Sequence, residues 1–137
     1  MTTYLTAPEI IALHQQVMDQ MDWAVAPLRS EDLLHSAVMR TQSVAYYDNA
    51  DLAIQATVLA IGISQNQPFL DGNKRAALYA LLTFLGINGV EYVGDKFAIA
   101  DQLVSVAERE GTLEAATDAF AVWLRERLQE SPVPETE

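Results

Sequence analysis

Leu52, Ala56, Leu59 and Ile63 stand four, three and four residues apart, and Leu78, Leu81, Leu82 and Leu85 resume that helical spacing after an interruption at Asn66 to Asp71. Pro68 sits inside the interruption. A proline within a helix removes an amide donor and clashes with the preceding turn, so one helix must stop there and another begin. The chain therefore has to hold a short loop between two strongly apolar helices.

The remaining segments carry the same three-and-four spacing. Thr6 is a candidate cap and Pro8 a first-turn residue for a helix whose face is Ile10, Leu13, Val17 and Met21. Ser30, followed by Glu31 and Asp32, predicts a short second helix with acidic groups at its positive end. The third helix is expected to start between Asp48 and Asp51, and the fourth at Gly72 or Asn73, with Gly86 and Gly89 as stop signals. Val90 to Val93 is at best a short extended stretch. Phe97, Ala100, Val104 and Ala107 mark a fifth helix closed by Gly111, and Ala116, Phe120, Trp123 and Leu124 stripe a sixth.

No sustained alternation of the strand kind is present, so the fold class is all-α: one compact domain of about six helices over residues 1–130. The last seven residues, 131–137, contain two prolines and two glutamates and are expected to form a frayed, flexible tail. At 137 residues, half of them apolar, the chain is long enough to close a core without staples. It has no cysteine, which excludes disulfides and cysteine-held zinc.

The formal charge is −11, from 19 acidic and 8 basic residues. Such a surface repels phosphate backbones, so no nucleic-acid partner is expected. No leader of basic then apolar residues opens the sequence, and no apolar run reaches the roughly 20 residues that span a bilayer. The expectation is a soluble, cytoplasmic protein with no membrane partner.

Basic residues are scarce, yet two of the eight, Lys74 and Arg75, are adjacent and follow Gly72 and Asn73. The stretch Gln67-Pro68-Phe69-Leu70-Asp71-Gly72-Asn73-Lys74-Arg75 feeds a helix N-terminus, where outward-pointing amides and the helix dipole favour an anion. Gly72 permits close approach to the backbone, Lys74 and Arg75 add charge, and Arg75 is able to grip a phosphate through two parallel hydrogen bonds. Asp71 is a hard oxygen ligand suited to Mg2+ that also touches phosphate, and Phe69 reads as the core anchor of the loop. The same residues are ordinary turn and capping chemistry, and a Lys-Arg pair is commonly a solvated face, so the residues alone fit either reading.

This stretch resembles the signature of the Fic/Doc superfamily, His-x-Phe-x-Asp/Glu-Gly/Ala-Asn followed by Gly-Arg, or by Lys-Arg in the death-on-curing (Doc) branch. Asn73-Lys74-Arg75 is similar to the Doc form. Tyr4-Leu5-Thr6, Leu28-Arg29 with Leu33-Leu34 and Ser36-Ala37, and Phe84-Leu85 through Asn88-Gly89 extend the resemblance over roughly residues 4 to 128. It implies an all-helical toxin of a toxin–antitoxin pair, using ATP or another nucleoside triphosphate with Mg2+. The Doc branch implies a protein kinase that phosphorylates a threonine of elongation factor Tu and blocks translation, inhibited by a prevents-host-death antitoxin that lays a helix in a groove. By position, Asp71 would hold the metal, Gly72 and Asn73 would form the anion hole, and Lys74 and Arg75 would contact phosphates. A downstream arginine common in AMP-transferring Fic enzymes is replaced by Leu78, which also favours Doc.

The main departure is Gln67, where the resemblance implies a histidine base. An imidazole titrates near neutrality and takes a proton from a hydroxyl, whereas an amide orients a hydroxyl without accepting its proton. Gln67 fits a natural relative with lost or changed activity and equally a deliberately disabled form. Two function classes follow: a nucleotide-dependent transferase, active or disabled, and a binding module that keeps the fold and the antitoxin groove while doing no chemistry.

Other residues of interest read as structural or surface residues. His14 and His35 are alone within their helices, without a partner at metal-ligand spacing. Met18, Met21 and Met39 read as core filler, Trp23 precedes a loop at Pro27, and Trp123 reads as core. The serines and threonines form no nucleophile-elbow pattern, so hydrolase chemistry has no support.

Overall fold

The computed structural model describes residues 1–21 and 27–132; Trp23 and positions 133–137 of the expected tail lie outside them. Among the described residues the chain forms α1 (Ala7–Gln20), α2 (Glu31–Tyr47), α3 (Leu52–Asn66), α4 (Asn73–Ile87), β1 (Val90–Tyr92), α5 (Lys96–Ala107), α6 (Leu113–Arg125) and β2 (Leu128–Glu130). The all-α expectation of six helices holds.

Local chemistry sets the helix starts. Thr6 Oγ1 accepts from the Glu9 amide at 3.3 Å while Glu9 Oε1 accepts from the Thr6 amide at 2.9 Å, a reciprocal capping box that satisfies two orphan donors of α1. Ser30 accepts from Leu33 N–H, Asp51 from Ile54 N–H and Thr112 from Ala115 N–H, capping α2, α3 and α6 in the same way. The second helix, expected to be short, runs 17 residues. No glycine or proline interrupts 31–47, and Leu34, Ala37, Val38 and Thr41 form one buried face as far as position 41. Thr41 is tolerated there because its hydroxyl donates to the Ala37 carbonyl at 3.0 Å.

Helix α3 is the centre of the molecule, packed by α2, α4 and α6. Residues 53, 55–61, 63 and 64 are all buried, so burial extends well beyond the stripe visible in the sequence. Gly62 lets α2 come close: a Cβ there would stand 2.9 Å from Ala37 Cβ. Helix α4 buries Ala76, Ala77, Leu78, Ala80, Leu81, Phe84 and Leu85 against it.

Three expectations are corrected. Helix α5 buries Ile99, Leu103 and Val106, whereas Phe97, expected on the core face, is 60% exposed. Both sets obey helical spacing, and periodicity alone does not choose between two apolar stripes on one helix. Met39 is exposed at 43% rather than core filler, while Met18 is buried. Gly86 lies inside α4 and Gly111 lies beyond the end of α5 at Ala107; the turn after α4 falls at Gly89, with φ +79°.

Strand β1 pairs antiparallel with β2, Val90 opposite Glu130 and Tyr92 opposite Leu128. Periodicity did not indicate β2. The Ser131 amide, at the start of the expected tail, still donates to Gly89 O at 2.9 Å. No described helix is long and apolar enough to cross a membrane.

Candidate anion-binding cleft between α3 and α4

Pro68 stops α3 and leaves Gln67 as its C-cap in the left-handed conformation, φ 51° and ψ 59°. This region is uncommon for a residue with a Cβ and costs about 1–2 kcal/mol, so the surroundings must hold it. They do so through the chain just ahead of α2. Arg29 Nε donates to Gln67 O and Arg29 Nη2 to Asn66 O, each at 2.8 Å. The Arg29 and Ser30 amides both donate to Pro68 O, the Leu70 amide donates to Pro27 O, and Leu28 bridges Phe69 antiparallel.

Beneath the loop, Phe69 is 2% exposed, as an anchor should be. Its ring lies flat on the imidazole of His14, with centroids 3.7 Å apart and planes 3° from parallel. His14 Nε2–H donates to the Asp71 carbonyl at 2.8 Å; a carbonyl only accepts, which fixes the proton on Nε2. The Asn73 side chain clamps the same anchor, accepting from Phe69 N–H at 3.0 Å and donating to Phe69 O at 2.8 Å. What Asn73 is able to offer an anion is thus its backbone amide.

Gly72 caps α4 at φ +81° without a described side chain bonded over the helix end. The amides of Asn73, Lys74 and Arg75 precede the first intrahelical bond, from Ala76 N–H to Gly72 O at 2.9 Å. They stand at the positive end of the dipole. A Cβ on Gly72 would meet Met18 Sδ at 2.9 Å and His14 Nε2 at 3.1 Å. Glycine is therefore required by its φ and by the packing of α1 behind it, and the sequence argument from ligand approach is not the only reason for it.

Ser64, Gln67, Leu70, Asp71, Gly72, Asn73, Lys74 and Arg75 line a cleft of about 410 Å3. Every site residue expected from the sequence faces it except Phe69, which lies below. Gln67, Asp71 and Lys74 are exposed at its rim and Arg75 is half-buried. Asp71 Oδ1 accepts from the Gly72 amide at 2.8 Å. No group of three or more His, Cys, Asp or Glu able to hold a metal exists among the described residues. A cation here would share one carboxylate with phosphate oxygens and water, which is how Mg2+ is ordinarily held in phosphate sites, so the donor set fits.

Sequence reasoning missed Arg29 and Ser64, and read His14 as a structural or surface residue rather than as part of the site. His14 had a legible signal, since it lies on the buried face between Ile10 and Val17. Its reading as structural agrees with its place under the loop, and His35 is exposed. Arg29 stands 38 residues before Gln67, with no local signal of the contact.

Residues 4–85 match the model of the Fic/DOC family. Toxin Doc of Mycolicibacterium smegmatis is 40% identical over 70 residues, which cover 50% of this chain and 54% of that protein, so the chain spans about half the length of this relative. Protein kinase doc of Escherichia phage P1 is 30% identical over 120 residues, 85% of this chain and 92% of the relative.

Proposed function

The chain belongs to the Fic/DOC family, and on that premise we propose that it is a Doc-like toxin of a toxin–antitoxin pair whose phosphate-binding cleft is kept and whose proton transfer is weakened. The observation that supports this is the cleft at the start of α4, lined by Gly72, Asn73, Lys74 and Arg75, with Gln67 at its rim. ATP or another nucleoside triphosphate would lay its phosphates over the amides of residues 73–75, with Lys74 and Arg75 supplying charge. Asp71 would hold Mg2+, which when bound offsets phosphate charge. In the transferase reaction a threonine hydroxyl of a protein target, which we take to be elongation factor Tu, attacks the terminal phosphorus. Its proton must go to a base while the nucleoside diphosphate leaves. Gln67 hydrogen-bonds the hydroxyl and orients it but accepts no proton, so the step lacks its acceptor.

Lys74 and Arg75 in sequence with Leu78 favour this phosphoryl-transfer reading over AMP transfer. A second reading, a binding module that engages nucleotide and antitoxin without turnover, is favoured by Gln67 itself. Calorimetric titration with ATP and Mg2+ tests the common premise. Binding is expected for the unsubstituted chain, and Arg75→Ala should weaken it about tenfold or more, since hydrogen bonds to charged groups contribute about 1.5–3 kcal/mol. Absence of binding, or equal binding by Arg75→Ala, would overturn the assignment.

A further inference from the structure

The head of the loop is strained and its holder comes from elsewhere in the chain. Gln67 is one of two described non-glycine residues with positive φ, and it is the one that lines the cleft. Helix α3 ends there without a basic residue in its last turn. The cation that complements this helix end is Arg29, whose fork spans two successive carbonyls, Asn66 and Gln67, at 2.8 Å each. Carbonyls of a final helical turn have no intrahelical donors, and a guanidinium answers both their hydrogen-bonding and their dipole. The Arg29 backbone adds a third attachment, its amide donating to Pro68 O. Arg29 thus grips the three consecutive residues that decide where the side chain of position 67 points.

We propose that Arg29 is the positioning residue of this site: its bidentate grip on the Asn66 and Gln67 carbonyls holds residue 67 left-handed and so aims that side chain into the cleft. Arg29 touches neither phosphate nor target; it acts through residue 67. Without the fork, residue 67 has less to keep it in a disfavoured conformation, and its side chain leaves the cleft. The anion site at the start of α4 is held separately, by Asn73 on Phe69 and by His14 on Asp71, and it survives. Lysine is a single point donor without the planar fork, so Arg29→Lys should restore only part of the effect.

This inference rests on the transferase reading for its catalytic consequence, but its structural half is testable without turnover. In the unsubstituted full chain, the backbone carbon shifts and side-chain amide resonances of Gln67 should leave the left-handed pattern in Arg29→Ala. Those of Gly72 and the Asn73 side chain should stay, and the affinity for ATP with Mg2+ should remain within about twofold. Arg29→Lys should fall between. In the Gln67→His background, Arg29→Ala should lower kcat at least about tenfold with little change in KM for ATP. Unchanged Gln67 resonances in Arg29→Ala would overturn the proposal, as would a joint loss of ATP affinity and kcat, which marks a merely structural residue. Should Arg29→Ala fail to fold, Arg29→Lys decides on the same readouts. An inactive Gln67→His chain that still shows the Arg29-dependent shift would fail the transferase reading and leave the positioning role standing.

Discussion

Gln67 would offer a hydroxyl group an amide where a base would offer an imidazole, and on the proposed function that difference bears on proton transfer rather than on anion binding. The cleft around it is assembled by other residues: Asn73 and His14 brace the loop from below and Arg29 holds its head. Gln67→His is therefore expected to place a base in a finished site. A positioned base contributes about 10²–10⁴-fold, so phosphoryl transfer from labelled ATP and growth arrest on induction should both appear, and both should vanish in Gln67→His/Asp71→Ala. Normal growth and unlabelled protein from a folded Gln67→His chain would leave the binding-module reading. Gly72 is the second position where one atom matters. Its φ of +81° and the Met18 and His14 atoms 2.9 and 3.1 Å from a built Cβ make Gly72→Ala destabilising on two counts. A loss of about 1–2 kcal/mol or more is expected in denaturant unfolding. An unchanged midpoint would mean the loop relaxes freely, contrary to its bracing.

Among the elements, α3 depends on a cap that also ties it to α6. Asp51 Oδ1 accepts from Ile54 N–H at 2.9 Å, and the same carboxylate meets Arg125 Nε at 2.8 Å. The Arg125 hydrogen bond holds the Asp51 carboxyl below its ordinary range, against the opposing effect of partial burial. A depressed folded-state carboxylate contributes stability above its unfolded value, near pH 4, and loses it as pH falls through the lower folded value. Both side chains are about half exposed, so the pair is worth under about 1 kcal/mol, whereas the cap is worth about 1 kcal/mol more. Thermal melts should rank Asp51→Ala below Arg125→Ala at neutral pH. The gap between Arg125→Ala and the parent should close as the pH drops below about 4. A gap that persists in acid would assign the Arg125 effect to packing. The α5 face carries the complementary lesson: Phe97 and Ile99 both sit on helical stripes, and only the neighbours of α5 select Ile99 for the core.

For the molecule as a whole, the formal charge of −11 on this chain would, on the toxin–antitoxin reading proposed above, favour a partner segment that carries basic residues. Complementary charge speeds encounter more than it raises affinity, and salt screens it over about 8–10 Å near physiological strength. Binding of a basic helical antitoxin peptide is expected to be retained in Gln67→His. Its association rate should fall steeply between low and physiological salt, while dissociation changes little. Stopped-flow measurements across ionic strength check this, and an association rate indifferent to salt would remove the charge argument.

The sequence by itself determined where α1, α2 and α4 start and nearly where α3 does, the break at Pro68, the all-helical class and the residues of the loop from Gln67 to Arg75. Each rests on interactions between residues a few positions apart, such as the Thr6–Glu9 box and the Ser30 and Asp51 caps. Only the tertiary structure decided which stripe of α5 is buried, that Gly72 is crowded by Met18 and His14, and that β2 returns to β1. It alone decided that Arg29 grips Gln67. These contacts join residues dozens of positions apart, where neither periodicity nor capping chemistry reaches, and they exist only once the helices have packed and brought their ends together.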